Sequence, residues 1–303
     1  MNNKKLFQQL KDNFLELDPT YFVESRLTLD GSEFKIVGNG WKFMADIYRY
    51  IAINATKKDG KSVVIKKGRQ VGATMMAAAL DLYFTNSGLF TKPPIRVLHA
   101  FPALALVKRF SQDKLEGLIR TANQDFISKN KLDTANAVDN MTMKQYKTGT
   151  LWVDSIGSDG DRVRGMTVDV AFFDEVQDMY QQAIGNATKT LTASKYGPIG
   201  KGVQVYFGTP KEKGSYFQTL WEMSDQRYYH LGCVNCGELF HFYLPDNDDW
   251  MKIWVSGYTI KCPKCGREQS KIDAIENGQW VPTNHDSKHV GFHINQLYIP
   301  YFT

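Results

Sequence analysis

The chain has 303 residues, of which 43% are hydrophobic and 13% aromatic, so it can bury the core of one large α/β domain with a small appendage, or of two medium domains. Its net charge of +5, from 37 basic and 32 acidic side chains, permits a nucleic-acid partner but does not require one. Because the sequence contains no apolar run of membrane-spanning length and no signal-peptide core after Met1, we expect a cytosolic protein without a membrane partner.

Hydrophobic periodicity predicts helices that alternate with strands. An amphipathic helix is expected near residues 4–17, before Pro19, and a second helical period runs from Trp41 to Ile53. Strands are then expected at 62–65, 95–100, 151–153, 168–173 and 203–207, with helices at 74–85, from Pro102 to about Arg120, and at 177–193. Such alternation predicts an α/β fold with a mainly parallel central sheet flanked by helices. From about His230 the pattern changes to short strands, turns and cysteines.

Residues 67–74 lie between a predicted strand and a predicted helix and resemble the P-loop pattern G-x-x-x-x-G-K-[ST]. Gly72 matches the second glycine and Thr74 the hydroxyl, whereas the lysine is missing from its usual place and stands at the first position instead. A helix beginning at Thr74 would aim its positive end at bound phosphates; the alternative is an ordinary strand-to-helix turn. The candidate nucleotide-binding residues are Lys67, Gly68, Arg69, Gln70, Val71, Gly72, Ala73 and Thr74.

The predicted strand 168–173 ends at two adjacent carboxylates, Asp174 and Glu175. At the end of such a strand, the first carboxylate can hold Mg²⁺ with Thr74, and the second can polarise an attacking water as general base. The alternative is a buried strand followed by a solvated acidic turn. Both motifs occur in the order of an ATP-hydrolysing site, so the sequence predicts an ATPase that uses Mg²⁺.

Two further elements fit such a site. Thr209, at the end of the next strand, is suited to sensing the γ-phosphate and passing its loss to a moving segment. Arg164, and after it Arg162, are candidates for stabilising the charge of the transition state. Without the phosphate loop Thr209 would be a plain turn residue, and either arginine could equally be a surface charge.

Four cysteines form two C-x-x-C motifs, Cys233 with Cys236 and Cys262 with Cys265, separated by 25 residues. Four thiolates in a tetrahedral arrangement suit Zn²⁺ in a closed, structural site. A glycine after each second cysteine suits a tight turn, and the gap implies an extended connecting hairpin. Free thiols or a redox pair are the alternatives. The histidines, including His99, are interpreted as packing or surface residues.

Cations and aromatic side chains surround these cysteines and could contact DNA phosphates. The alternative is a small ribbon whose aromatic side chains pack into its own thin core. The residues concerned are Lys261, Lys264, Arg267, Lys271, Tyr228, Tyr229, Phe240, Phe242 and Tyr243.

Together these segments resemble the ATPase half of the large terminase subunit of tailed phages, in the lambda-like GpA family. Lys67–Thr74 looks like the deviant Walker A motif of that family, with its lysine at the first position. Phe173–Val176 is similar to its Walker B motif, and Gly208–Pro210 to its coupling motif. Val97–Arg120 and His289–Pro300 are similar to the segment after the second strand and to the stretch that closes the ATPase half.

The resemblance implies an ASCE-type P-loop ATPase with a zinc-ribbon insertion, which works as a ring homo-oligomer and drives double-stranded DNA into the procapsid. It also implies a small terminase subunit and the portal protein as partners, in the host cytoplasm. The roles implied are phosphate neutralisation for Lys67 with Arg69, Mg²⁺ positioning for Thr74 and Asp174, water activation for Glu175, and coupling to movement for Thr209.

Two features depart from the family pattern. No glutamine motif for adenine precedes the loop, so Trp41 and Phe43 are the candidates for contact with the base. The family continues into a nuclease half with an acidic metal cluster, whereas this chain stops at Thr303, and we expect no endonuclease activity from it.

The leading hypothesis is therefore the ATP-hydrolysing motor portion of a terminase large subunit. One alternative is a helicase-like ATPase that remodels nucleic acid. Another is a non-catalytic zinc-ribbon protein that binds nucleic acid on a dead P-loop scaffold, which Ala73 in place of lysine would favour. The expected domains are an N-terminal helical arm at 1–40, a P-loop ATPase core at 41–228, a zinc ribbon at 229–270 and a C-terminal segment at 271–303 that closes the ATPase half.

Overall fold

The structure is a computed structural model, and it describes residues 17–90, 93–122, 130, 132, 137–211, 214–242 and 250–301. The chain forms two compact units. The first contains Met1–Phe34, Tyr48–Ser62 and Gly72–Phe207, and the second contains Lys35–Ile47, Val63–Val71 and Gly208–Thr303. The helix expected near residues 4–17 lies outside the described residues except for its last position. The four expected domain ranges stay a prediction.

Helices and strands alternate along most of the chain. The α-helices are α1 (Pro19–Arg26), α2 (Lys42–Thr56), α3 (Ala73–Asn86), α4 (Leu104–Arg109), α5 (Glu116–Thr121), α6 (Gln181–Thr188), α7 (Tyr216–Glu222), α8 (Trp250–Ile253) and α9 (Lys271–Glu276). A π-helical stretch, Phe110–Leu115, joins α4 to α5, and short 3-10 turns lie at Asp161–Val163, Val176–Asp178, Lys189–Leu191 and Gln296–Tyr298. In the described part of the chain, no helix is both long and apolar enough to cross a membrane.

The strands are short, and the longest of them form the sheet of the first unit. They are β1 (Thr28–Leu29), β2 (Ser32–Glu33), β3 (Ser62–Lys67), β4 (Ile95–Phe101), β5 (Met143–Gln145), β6 (Gly149–Ser155), β7 (Val170–Phe173), β8 (Val203–Gly208), β9 (Arg227–Gly232), β10 (Leu239–Phe240), β11 (Trp254–Ser256), β12 (Thr259–Lys261), β13 (Glu268–Ser270), β14 (Gln279–Val281) and β15 (His289–Ile294). β3 extends to Lys67, two residues beyond its predicted end, so the lysine of the phosphate loop is a strand residue.

In the first unit the strands lie in the order β8-β7-β4-β6-β5. β4 pairs in parallel with β6 and with β7, and β7 pairs in parallel with β8. The short β5 is antiparallel to β6. All four residues of β7 are buried, as expected for parallel strands whose faces are covered by helices. The predicted mainly parallel sheet flanked by helices is therefore confirmed.

Helix α3 follows the phosphate loop and is buried from Met76 to Asn86. Its sequence, rich in alanine and leucine, presents no continuous polar face, and the helix packs against β4 and β6. Gly72 precedes the helix with φ 77°, a left-handed conformation that glycine adopts without steric cost. This turn directs the chain from the loop into the first turn of α3 at Ala73.

Pro19 begins a helix in the structure, whereas the sequence pattern predicted that a helix ends before it. Asp18 caps α1, and its carboxylate accepts a hydrogen bond from the Thr20 backbone N–H at 2.9 Å. Proline at the first helical position sacrifices no intrahelical hydrogen bond, which is why it is tolerated there. Arg49 on α2 forms an ion pair with Asp18 at 3.0 Å and so connects α1 to α2.

The second unit contains a sheet in the order β10-β9-β15-β3, in which β14 also pairs with β9. β15 is parallel to β9, whereas β10 and β14 are antiparallel to it. β11, β12 and β13 form a separate antiparallel sheet of three strands. Helix α9 packs against β9, and α7 packs against β15. The predicted change to short strands and turns from about His230 is confirmed.

An ion pair fixes the start of β7 against β4 in the first unit. The Asp169 side chain is fully buried, and Arg96 holds its two oxygens with Nε at 2.9 Å and Nη2 at 3.1 Å. The Arg96 backbone N–H and the Ser194 hydroxyl also donate to this carboxylate, each at 3.0 Å. Both carboxylate oxygens are therefore paired, which offsets the cost of burying the charge.

Replacing Arg96 by methionine should destabilise the first unit, because the Asp169 carboxylate would stay buried with neutral donors only. We expect the free energy of unfolding, measured by urea titration, to fall by about 2–4 kcal/mol. Arg49→Met removes the more exposed pair with Asp18 and is the matched control, with an expected loss below about 1 kcal/mol. Equal losses in the two variants would contradict the assigned role of Arg96.

Candidate active site and metal centre

The hydroxyl of Thr74 and the carboxylate of Asp174 meet in the first unit. Thr74 lies in the first turn of α3, and its Oγ1 donates to Asp174 Oδ2 at 3.1 Å. Asp174 follows β7 and is only 1% exposed, and its backbone N–H donates to the carbonyl of Ala100 on β4 at 3.0 Å. Hydroxyl and carboxylate oxygens are the ligands that Mg²⁺ prefers. The structure thus brings together the two residues that the sequence predicts for Mg²⁺.

Glu175 directly follows this carboxylate and has a left-handed backbone, with φ 61°. Its backbone N–H donates to Asp174 Oδ1 at 2.9 Å, and its carboxylate accepts a hydrogen bond from the Gln177 side-chain amide. Residues other than glycine rarely adopt this conformation, which costs roughly 1–3 kcal/mol and clusters at functional sites. The strained backbone argues against a plain solvated turn and supports a functional role for Glu175.

The first five residues of the phosphate loop, 67–71, belong to the second unit. Lys67 is the last residue of β3 and is 7% exposed. Gly68 donates its backbone N–H to the carbonyl of Ile294 at 2.9 Å. The carbonyl of Arg69 accepts a hydrogen bond from Gln296 Nε2 at 2.7 Å. Residues at and after the end of β15 therefore hold the start of the loop.

The candidate arginines lie in the segment between β6 and β7, and both make ion pairs. The Arg164 side chain is 67% exposed and contacts Asp161 at 2.6 Å, and Arg162 contacts Asp154 at 3.0 Å. Thr209 follows the last residue of β8 and is partly exposed in the second unit. The proposed roles of these three residues stay predictions.

The two aromatic candidates for contact with adenine differ in exposure. Phe43 is fully buried, and its carbonyl accepts a hydrogen bond from Trp280 Nε1 at 2.9 Å. Its ring therefore belongs to the core of the second unit and is not available to a base. Trp41 is partly exposed, with its ring 5.7 Å from that of Phe43 and 5.9 Å from that of Tyr301.

A buried histidine–aspartate pair lies next to this site in the first unit and was not predicted. His99 Nδ1 is 2.6 Å from Asp81 Oδ2, and neither side chain is exposed. Asp81 lies seven residues after Thr74 on the same helix, and burial raises the pKa of its carboxyl. His99 packs as predicted, with its ring stacked on Phe101, but it also anchors α3 to β4. The sequence carries no signal for the pair, because its members lie 18 residues apart on different elements.

The four cysteines form a cluster that could hold a metal ion. The Sγ atoms of Cys233, Cys236, Cys262 and Cys265 all lie within 4.8 Å of one another. Sγ of Cys233 is 3.7 Å from that of Cys265, and Sγ of Cys236 is 3.8 Å from that of Cys262. Metal–sulfur bonds of about 2.3 Å in a tetrahedral site place the sulfur atoms about 3.8 Å apart. The spacing therefore fits one ion.

Two hairpin turns present these sulfur atoms, one between β9 and β10 and the other between β12 and β13. Gly237 and Gly266 both have φ 71°, and each donates its N–H to the carbonyl of the first cysteine of its motif at 3.0 Å. The predicted glycine turns are therefore confirmed. The Arg267 backbone N–H, by donating to Cys265, lowers the pKa of that thiol to about 6, whereas burial raises the pKa of the Cys262 thiol.

Several residues suggested for contact with DNA instead belong to the core of the second unit. Lys271 is fully buried, and its Nζ donates to the carbonyl of Ile299 at 2.8 Å, so it cannot reach a phosphate. Tyr229, Phe240 and Phe242 are buried, and Tyr229 packs against Phe43 and Tyr298, outside the expected ribbon, so these side chains belong to the wider core of the second unit. Tyr228 is partly exposed. The cations that stay exposed are Lys261, Lys264 and Arg267, whereas Tyr243 lies outside the described residues.

A glycine turn into a buried helix, a threonine in its first turn and a carboxylate after a parallel strand define a nucleotide-hydrolysing protein of the P-loop class. The family described as phage terminase large subunit gpA, ATPase domain, matches residues 43–280, and this chain belongs to that family. The resemblance found in the sequence is confirmed, and membership of the family implies ATP hydrolysis. It favours neither the helicase-like nor the non-catalytic alternative.

Solved terminase structures are similar to the chain at low sequence identity. The large terminase of a thermophilic bacteriophage is 16% identical, with a TM-score of 0.37, and the match covers 52% of this chain and 36% of that one. The ATPase domain of the large terminase of Thermus phage P74-26 is 17% identical, with a TM-score of 0.45, over 88% of this chain and 86% of that domain. No curated protein matches the chain.

The cysteine cluster predicts that the purified protein contains about one metal ion per chain, as a four-thiolate site does. Cys262→Ser should remove this ion and expose the hairpins to proteolysis, because the ligands then no longer join β9–β10 to β12–β13. Mass spectrometry of the metal content, with and without a chelator, measures the first effect. A metal-free wild-type protein with protease-resistant hairpins would contradict the assignment, and restoration of resistance by added metal is the control.

Proposed function

We propose that this chain is the ATP-hydrolysing motor portion of a phage terminase large subunit, which drives double-stranded DNA into a procapsid. The proposal depends on the hydrogen bond from Thr74 to Asp174. A hydroxyl at a helix start and a carboxylate at the end of a strand hold Mg²⁺ in P-loop NTPases. The match to the gpA ATPase family supports this function.

The chemistry follows from the residues already described. Thr74 and Asp174 would hold Mg²⁺, which when bound neutralises developing charge on the transferred phosphoryl group. Lys67, assisted by Arg69, neutralises phosphate charge from the front of the loop, where a lysine of the usual pattern would act from the back. Glu175 accepts a proton from the attacking water as general base.

Arg164 is the candidate for stabilising charge in the transition state. Its guanidinium is exposed and pairs with Asp161 at the surface, so leaving that pair for a phosphate costs about 1 kcal/mol or less. Arg162 is the second candidate. Thr209, at the end of β8, is proposed to sense the γ-phosphate and to couple its release to movement of the segment that follows.

The metal held by the four cysteines is proposed to be Zn²⁺. Tetrahedral coordination by four thiolates suits zinc, and a site with no open position is structural. Cys233 and Cys262 are buried, whereas Cys236 and Cys265 are exposed, so the ion would close the two hairpins on each other at the surface. The metal would therefore contribute to folding of the ribbon, and Lys261, Lys264 and Arg267 are its exposed cations.

Partners and assembly are inferred from the family. We propose that a small terminase subunit and the portal protein bind the chain, and that a ring of identical chains acts at the portal in the host cytoplasm. The net charge of +5 is compatible with a DNA partner. The four expected domain ranges, including the closing segment at 271–303, are proposed on the same basis.

Glu175→Gln should lower the ATP turnover number by at least about 100-fold, as expected for loss of a general base, while nucleotide binding persists. Turnover is measured by phosphate release, and binding by fluorescence of a nucleotide analogue. Glu33→Gln changes an exposed glutamate on β2 in the same way and serves as control. A variant at position 175 that turns over normally would reject the assigned base.

Lys67→Met keeps most of the buried aliphatic chain but removes the ammonium group. We expect kcat/KM for ATP to fall by about 100-fold or more, the usual effect of removing a donor that stabilises developing charge. Lys66→Met changes the preceding residue, which lies over the Trp221 ring, and should reduce kcat/KM far less. A normal rate in Lys67→Met would move the phosphate-neutralising role to Arg69 or Lys66.

A further inference from the structure

Two hydrogen bonds connect the C-terminal segment to the start of the phosphate loop within the second unit. The backbone N–H of Gly68 donates to Ile294 at 2.9 Å, and Gln296 Nε2 donates to the carbonyl of Arg69 at 2.7 Å. A Cβ atom at Gly68 would lie 3.3 Å from Cγ of Gln296 and 3.6 Å from the Ile294 carbonyl oxygen. The Gln296 side chain and the Ile294 carbonyl therefore both pack closely against Gly68, at the start of the loop.

The Gly68 amide is not available to a phosphate, because the carbonyl of Ile294 already accepts it. The amides that can face an anion therefore begin further along the loop. A trans peptide unit is planar, with its C=O and N–H pointing in opposite directions. By holding the Arg69 carbonyl, Gln296 therefore fixes the Gln70 N–H on the opposite side of the same peptide.

Gln70 has a left-handed backbone, with φ 57°. Left-handed residues within a tight loop turn successive N–H groups toward a common point, which forms an anion-binding nest. A residue other than glycine holds this conformation only where its surroundings enforce it. The hydrogen bond from Gln296 to the preceding carbonyl is such an enforcing contact.

The backbone around Gln296 is held by hydrogen bonds and by burial of its neighbours. Asn295 accepts a hydrogen bond from the Leu297 backbone N–H at 3.0 Å and caps the 3-10 turn Gln296–Tyr298. Tyr298 is fully buried, and the next carbonyl, of Ile299, is held by the buried Lys271. The backbone that carries the Gln296 side chain is thus anchored in the core, as a positioning group requires.

We propose that Gln296 is a positioning residue for the phosphate loop: it orients the Arg69–Gln70 peptide so that the Gln70 N–H donates to a phosphate of a nucleoside triphosphate. The inference rests on the proposed function of the loop. The amide of Gln296 supplies the donor for this contact, whereas a carboxylate would repel the Arg69 carbonyl and an apolar chain of equal length would leave it without a donor. Gln296 belongs neither to the phosphate-loop motif nor to the carboxylate pair after β7, so neither motif predicts its role.

The kinetic test compares Gln296→Met and Gln296→Glu with the wild type. We expect Gln296→Met to raise KM for ATP by roughly three- to tenfold, the effect of losing one hydrogen bond, with kcat within about twofold. Gln296→Glu should raise KM further. Gln218→Met, which removes an exposed side-chain amide on α7 that donates to Glu222, is the matched control and should leave both constants unchanged.

Amide hydrogen exchange of the nucleotide-free protein tests the contact without any turnover. Peptides covering residues 68–72 should exchange faster in Gln296→Met than in the wild type or in Gln218→Met. Unaltered exchange of these peptides overturns the inference whatever the activity of the wild type, and faster exchange with an unaltered KM overturns the role toward phosphate. A wild type that fails to hydrolyse ATP while loop exchange responds as expected overturns the proposed function and supports the positioning contact.

Discussion

The hydrogen bond between the Thr74 hydroxyl and the Asp174 carboxylate joins the two motifs on which the site depends. It exists because α3 begins beside the carboxyl end of β7, and that placement follows from parallel strands connected by helices. The same carboxylate also accepts the Glu175 amide, so a single buried group positions a hydroxyl ligand and the candidate general base. The end of β7 therefore determines where the Mg²⁺ ligands and the candidate general base lie.

The phosphate loop is anchored differently at its two ends. Its threonine end belongs to a helix that is buried along nearly its whole length, and the side chain of Asp81 on that helix also contacts β4. Its lysine end continues directly from β3, so the position of Lys67 is set by a strand and its aliphatic stem is covered. A lysine placed in this way is less mobile than one on a loop, because the sheet holds its backbone.

Local patterns in the sequence predicted the elements and the residues that lie next to each other in a motif. Alternating periodicity predicted the parallel sheet, and the C-x-x-C spacing predicted the cysteine cluster. Contacts between elements could not be predicted in this way. Arg96 and Asp169 lie 73 residues apart, and Arg69 and Gln296 lie 227 apart, so their pairing depends on strand register.

The structural roles of Pro19 and Phe43 also could not be predicted from the sequence. Pro19 indicates either the end of one helix or the first residue of another, and only the Asp18 cap in the folded chain decides which. Phe43 has an aromatic ring that could stack on a base, but the ring is fully buried. Burial depends on what packs against a side chain, and a single sequence does not contain that information.

The enclosure of His99 makes it a natural spectroscopic probe. Its ring is shut off from solvent between Phe101 and Phe110, at centroid distances of 4.7 and 4.2 Å. Nδ1 lies 2.6 Å from the Asp81 carboxylate and neither side chain is exposed, so a proton held between them is expected to exchange slowly with water and to give a signal downfield of ordinary amides. Its frequency depends on that distance, so a single line in a proton magnetic resonance spectrum would report whether bound nucleotide changes the contact between α3 and β4, without any label attached to the chain.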